Sequence, residues 1–79
     1  ELGLRYALEN FVVEWSRHTG IRAEFHAAGL GKTRLDFEIE TNFYRIAQEA
    51  LNNVQKHAKA QNVSVLLEKR GGSVSLIVE

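Results

Sequence analysis

The sequence predicts a two-layer α/β sandwich of the α+β kind, in which two helices cover one face of a small sheet. Two segments carry apolar residues at helical spacing, one segment alternates apolar with polar residues, and two further strand-like segments flank a Gly-Gly pair. Their order is helix, strand, helix, strand, strand. A sheet covered on one face by helices is a two-layer arrangement, and no proline or repeat indicates a second domain.

The first helix is predicted over residues 2–18. Its apolar residues follow the spacing of one buried stripe, formed by Leu4, Leu8, Phe11, Val12 and Trp15. Arg17 and His18 place cations at the negative end of the helix dipole, and Gly20 provides a stop. The following stretch, Ile21–Ala28, alternates apolar with polar residues, which predicts a half-buried strand.

The second helix is predicted from Phe37 to Ala58, after the glycine-containing loop "GLGKTRLD". Asp36 is placed as its N-cap and Glu38 adds a carboxylate to its first turn. The predicted core stripe is the strongest periodic signal in the chain and consists of Ile39, Phe43, Ile46, Ala47, Ala50, Leu51, Val54 and Ala58. The loop itself is expected to be a flexible connection.

Two strands joined by a hairpin complete the predicted fold. The stretch "NVSVLLEKR" places Val63, Val65 and Leu67 on one face. Gly71-Gly72 then forms the turn, and "SVSLIVE" returns alongside. The chain starts without methionine and stops in mid-strand at Glu79, so we expect it to be part of a longer protein.

Composition excludes several classes of function. Ten basic and ten acidic residues cancel, which gives no support for nucleic-acid binding or for direct contact with an anionic membrane. The chain has no cysteine and no membrane-length apolar run, so a reducing, cytoplasmic compartment is compatible with it. "GLGKT" lacks the full phosphate-loop pattern. His18 and His26 do not converge with His57, which leaves a zinc site without support.

One flank of the second helix carries polar residues in a regular series. Glu49, Asn53 and Lys56 lie about 120° from the centre of the apolar stripe, with Asn42 in line about two turns earlier. Carboxylate and amide oxygens suit Mg²⁺, and a lysine suits the phosphates that such a metal bridges. A series of this kind is also typical of a solvated helix face. At a border position we expect partial shielding from water, which would strengthen a charged contact.

The string "YRIAQEALNNVQKHAKAQNVSVLLE" resembles the N-box region of sensor histidine kinases. It is most similar to the nitrate-sensor-like subfamily, which phosphorylates LuxR-type response regulators. The resemblance extends upstream through "ELGLRYALENFVVEWSRHTGIRAEFHAAG" and downstream through "GGSVSLIVE". It implies that the fold is the first part of the Bergerat (GHKL) sandwich of ATPases, and that residues 1–79 are part of a kinase's ATP-binding domain.

Roles for individual residues follow from that resemblance. Glu49 matches the acidic residue that opens the N-box, which implies proton transfer at the acceptor histidine. Asn53 matches the asparagine whose side-chain oxygen binds Mg²⁺. Lys56 and His57 match positions close to the phosphates or ribose of ATP. Asn52 falls between matched positions, so we interpret it as structural.

The sequence also departs from the family pattern. The chain contains no D-x-G-x-G motif, whose aspartate hydrogen-bonds adenine, and neither the later glycine-rich box nor the ATP lid is present. None of its histidines lies in a phosphoacceptor motif. We therefore expect residues 1–79 alone to be catalytically inactive, to bind ATP negligibly, and to associate through an open strand edge unless they are part of a longer chain.

The resemblance implies that the parent protein is a two-component sensor histidine kinase in the cytoplasm, anchored to the membrane or free. Such a kinase transfers the γ-phosphoryl group of Mg²⁺-bound ATP to its own histidine and then to an aspartate of a response regulator. It acts as a homodimer through its own dimerisation domain. Three alternatives stay open: another GHKL-superfamily ATPase, an anti-sigma-type serine kinase, and a non-catalytic interaction module.

Overall fold

A computed structural model describes residues 3–31, 34–57, 59 and 61–79 of the chain. The elements are α1 (Gly3–Thr19), β1 (Arg22–Ala28), α2 (Phe37–His57), β2 (Asn62–Arg70) and β3 (Ser73–Val78). This is the predicted order of helix, strand, helix, strand, strand. The helices and the mixed sheet form one compact α+β unit, which confirms the predicted fold class.

The element boundaries differ from the predicted ones by single residues. The first strand begins at Arg22 and not at Ile21, and α1 continues one residue past His18. Gly20 ends α1 as predicted, since its φ of 78° is left-handed and its N–H donates to the carbonyl of Ser16 at 3.0 Å. Two residues assigned to helices from sequence, Leu2 and Ala58, lie outside the described residues.

The sheet has the order β1-β2-β3, so β2 lies between the other two strands. β1 and β2 are parallel, with Ala23 opposite Val63, and α2 supplies the crossover that a parallel pair requires. β2 and β3 are antiparallel and joined by the predicted two-glycine turn, where Gly71 has a φ of 56°. Glu79 continues the ladder with one hydrogen bond in each direction to Ser64.

Both helices pack on the same face of the sheet. Each strand places alternate residues on that face, and the central strand is the most deeply covered. The buried apolar residues form two adjoining clusters. Their members are Leu4, Leu8, Val12, Trp15, Leu30, Ala47, Leu51, Val63, Val65 and Leu67. The predicted stripe of α1 is confirmed, with Phe11 half-buried beside it.

The predicted stripe of α2 was too wide. Ala47 and Leu51 are fully buried, but Ile39 and Ile46 are 43% and 55% exposed. These isoleucines lie about 80–100° around the helix from Ala47. The sheet and α1 cover only part of the helix circumference, so apolar residues on the side away from α1 stay in contact with solvent.

Part of the loop before α2 belongs to the core, which corrects the expectation of a flexible connection. Leu30 is buried and Leu35 is half-buried against the same cluster as Ala47. Gly29 adopts a φ of 79°, and a Cβ atom there would overlap the carbonyl oxygen of Lys69 in β2. The middle of the loop, residues 32–33, lies outside the described residues.

Candidate functional site

The predicted site residues lie on one exposed side of α2, here called the α2 flank and defined by Asn42, Glu49, Asn53 and Lys56. All four side chains are exposed. Glu49 and Asn53 are separated by one helical turn, or about 6 Å along the axis. Regular helix over the whole stretch thus places a carboxylate, an amide and an ammonium group in series.

The α2 flank points away from α1. The rings of Phe11 and Tyr44 meet edge-on at 5.7 Å between centroids, which places α1 beside Tyr44. Asn53 lies about 180° around α2 from Tyr44, and Glu49 about 140°. The α2 flank therefore lies on the side of the helix nearer to β3, which is an edge strand of the sheet among the described residues.

The expected partial shielding of this flank is not observed. Glu49, Asn53 and Lys56 are exposed because none of the described elements packs on that side. Within the described ranges, their side chains make no hydrogen bond or ion pair. The polar groups are consequently available to an external ligand, and Ile46 adds an apolar side chain three residues before Glu49.

His57 is the last residue of α2 and is also exposed. It lies about 40° around the helix from Asn53, with Lys56 about 60° to the other side. Both side chains lie in the last turn, where positive charge is favoured by the helix dipole. An open groove of about 860 Å³ lies elsewhere, between α1 and the first half of α2, and no flank residue lines it.

Glu40 is a conspicuous polar residue that sequence reasoning missed. Its carboxylate accepts hydrogen bonds from the Arg34 guanidinium, at 3.3 Å to each oxygen, and from the N–H of Leu35 at 3.2 Å. Glu40 also lines the groove between α1 and α2 together with Gly3 and Leu4, so it lies beside the start of α1. Burial opposes the charged form, but these donors and the Arg34 charge outweigh it and lower the pKa of Glu40.

A sequence signal for Glu40 did exist. Glu40 lies about 20° around the helix from Ala47, and thus on the apolar stripe of α2. A charged residue in that position requires a partner. The partner could not be named from sequence, because Arg34 and the N-terminus of α1 come together only in the folded chain.

Comparison with known proteins relates this chain to sensor histidine kinases of two-component systems. It is 35% identical over 79 residues to the signal transduction histidine-protein kinase/phosphatase DegS of Brevibacillus brevis, covering 100% of this chain and 20% of that protein. It is 40% identical over 78 residues to the sensor histidine kinase MctS of Rhizobium johnstonii, covering 99% of this chain and 17% of MctS.

A third relative is the oxygen sensor histidine kinase NreB of Staphylococcus carnosus, 37% identical over 68 residues, or 86% of this chain and 19% of NreB. The chain thus spans about a fifth of the length of these relatives. No family model matches it, and no solved structure matches it significantly. Neither helix, over the residues described, combines the length and apolarity needed to cross a bilayer.

Proposed function

We propose that residues 1–79 belong to the ATP-binding domain of a two-component sensor histidine kinase. The observation that carries this proposal is the α2 flank, where a carboxylate and an amide one turn apart are exposed and have no partner among the described residues. The similarity to histidine kinases supports it, since it extends over all of α2. Exposed oxygen donors followed by basic groups fit a metal-chelated triphosphate.

The residues of the flank have distinct roles in this proposal. The amide oxygen of Asn53 would hold the Mg²⁺ of the nucleotide complex. Lys56 and His57 contact the phosphates or ribose from the last turn of α2. Glu49 accepts a proton from the acceptor histidine, a role that suits a fixed carboxylate. A bound Mg²⁺ would neutralise charge on the phosphates, and the residues of the α2 flank would contribute mainly by positioning the reacting groups.

The proposal extends to the complete protein. Its γ-phosphoryl group passes from ATP to a histidine and then to an aspartate of a response regulator with LuxR-type output. The protein acts as a homodimer through its dimerisation domain. The α2 flank faces away from α1, so a nucleotide on the flank does not compete with the packing of α1 on α2.

The decisive experiment compares two neighbouring asparagines in the complete protein. Asn52 and Asn53 are both exposed on α2, but they lie about 100° apart around the helix. We expect Asn53→Ala to reduce Mg·ATP affinity by about tenfold or more, the effect of one charge-assisted contact, and to abolish autophosphorylation. Asn52→Ala should leave both within twofold. Equal effects of the two substitutions would contradict the assignment of the metal site.

A second comparison tests the carboxylate. Glu49→Gln keeps the shape of the side chain but removes its basicity, so autophosphorylation should fall by about 10²–10⁴-fold. The exposed Glu9 on α1 provides the control, and Glu9→Gln should have no effect. Acid-labile phosphohistidine in the wild type supports a histidine kinase. Phosphoserine on a partner, or ATP hydrolysis without a phosphoprotein, would favour the serine kinase or the other ATPases. Unchanged Mg·ATP binding in both flank variants would favour an interaction module.

A further inference from the structure

The carboxylate of Glu40 joins three segments of the chain. It lies in the first turns of α2, accepts a hydrogen bond from the N–H of Leu35 in the preceding loop, and lies beside Gly3 and Leu4 of α1. The Arg34 guanidinium binds both carboxylate oxygens at 3.3 Å. A fork-to-fork contact of this kind fixes direction as well as distance. The side chain of Glu40 is only 12% exposed, so water screens these contacts weakly.

The neighbours of Glu40 in α1 and in the loop, Leu4 and Leu35, also contribute side chains to the core. Leu4 is buried in the cluster that contains Ala47, and Leu35 packs against the same cluster. Leu35 is therefore held twice, by its main-chain hydrogen bond to Glu40 and by apolar contact with the core, whereas Leu4 is held by its burial in the core. Because Ala47 and Glu40 lie on one face of α2, the two attachments share a line along the helix.

Glu40 also places a negative charge near the first turn of α1. The first turn of α1 contains no acidic residue, although a negative charge is favourable there because the N–H groups and the dipole are positive at that end. Glu40 of α2 lies beside this end of α1. Arg34 lies close to the start of α1 as well, since a Cβ atom at Gly3 would be 2.9 Å from its Nε.

From this geometry we propose that Glu40 is a positioning residue that holds the start of α1 and the end of the preceding loop on the helix that carries Glu49 and Asn53. The inference rests on the proposed function, since it makes the attachment of α1 a determinant of the nucleotide site. A helix is rigid over the four turns between Glu40 and Asn53, so a change in how its first turn is held alters the position of the α2 flank. Coupling between two sites is reciprocal, so Mg·ATP on the flank must in turn affect the attachment.

Amide hydrogen exchange in the complete protein tests the proposal directly. In Glu40→Gln the amide of Leu35 should exchange about tenfold to a hundredfold faster, because its charged acceptor is gone. The amide of Leu4 should also exchange faster, because Arg34 is no longer fixed against the start of α1. Glu38→Gln is the matched control: it removes the same charge from an exposed residue in the first turn of the same helix, and should leave both amides unchanged. If Glu40→Gln does not fold, Arg34→Lys retains the positive charge but cannot bind both carboxylate oxygens at once, and the same faster exchange is expected in that variant.

Measurements with Mg·ATP distinguish a positioning role of Glu40 from a purely local structural role. Addition of Mg·ATP should alter exchange at Leu4 and Leu35 in the wild type but not in Glu40→Gln, and Glu40→Gln should weaken Mg·ATP binding about threefold to tenfold while Glu38→Gln does not. Unchanged exchange in Glu40→Gln would overturn the proposal, as would faster exchange with unaltered nucleotide affinity. If the wild type does not bind Mg·ATP, the proposed function fails, and exchange in the nucleotide-free protein still decides whether Glu40 holds the two segments.

Discussion

Substitution of Gly29 by alanine tests how closely the loop after β1 packs against β2. Gly29 directly follows β1 and has a φ of 79°, a conformation that costs an L-residue about 1–2 kcal/mol. Its added Cβ atom would overlap the carbonyl oxygen of Lys69. Lys69 cannot easily move away, because its strand is paired on the other side with β3, where Lys69 lies opposite Val74.

Gly20 provides a matched control for the cost of placing an L-residue in the left-handed backbone conformation. Its φ of 78° is almost the same, but a Cβ atom there would meet nothing within 4 Å. In both variants, alanine restricts the unfolded chain and recovers about 0.4–1 kcal/mol. Gly20→Ala should therefore cost about 0–1.5 kcal/mol. The overlap at Gly29 adds about 1–3 kcal/mol, typical of overpacking, which brings Gly29→Ala to about 1–4.5 kcal/mol.

The assay is urea unfolding at fixed protein concentration, followed by circular dichroism and by the fluorescence of Trp15, the single tryptophan, which is buried. Small domains lose about 1 kcal/mol per molar urea at the low end of the usual range, so Gly29→Ala should lower the midpoint by about 1–4.5 M. Gly20→Ala should shift it by less than half as much. Equal shifts in the two variants would refute the steric argument, because both would then reflect only the cost of the left-handed backbone conformation.

Three further predictions concern the core, pH and the isolated chain. Leu51→Ala should cost about 2–5 kcal/mol, because Leu51 is 0% exposed, whereas the half-exposed Ile46 should tolerate alanine within about 1 kcal/mol in the same unfolding assay. The pKa of Glu40 is lowered in the fold, so Glu40 contributes stability at neutral pH that is lost as pH falls through its folded pKa. The free energy of unfolding, measured against pH, should therefore fall in acid for the wild type and change less with pH in Glu40→Gln. Residues 1–79 alone should show no measurable Mg·ATP binding by isothermal titration, because they contain no D-x-G-x-G motif to recognise adenine. A micromolar dissociation constant would contradict this prediction.

Much of the fold was accessible from the sequence because local periodicity reports which side of an element is apolar. The stripe Leu4, Leu8, Val12 and Trp15 was predicted in full and is buried. The two-glycine hairpin was likewise predicted, since only a few residue types suit such a turn. The α2 flank follows in the same way, because helical spacing alone places Glu49 and Asn53 one turn apart.

Periodicity did not show which apolar residues would find a partner. Ile39 and Ile46 match the helical pattern as well as Leu51 does, yet they face the side of α2 that no described element covers. The exposure of Glu49 and Asn53 has the same origin. Whether a flank residue is shielded depends on what packs beside the helix, and that is a property of the assembled layers.

The sequence by itself determined the element order, the central apolar stripes and the alignment of polar groups on the α2 flank, since these depend on neighbours within one helix or strand. Tertiary structure alone decided the central position of β2, the burial of Leu30, and the position of Glu40 beside the start of α1. Those features join residues distant in the chain, and their energies arise only when folding excludes water from between them.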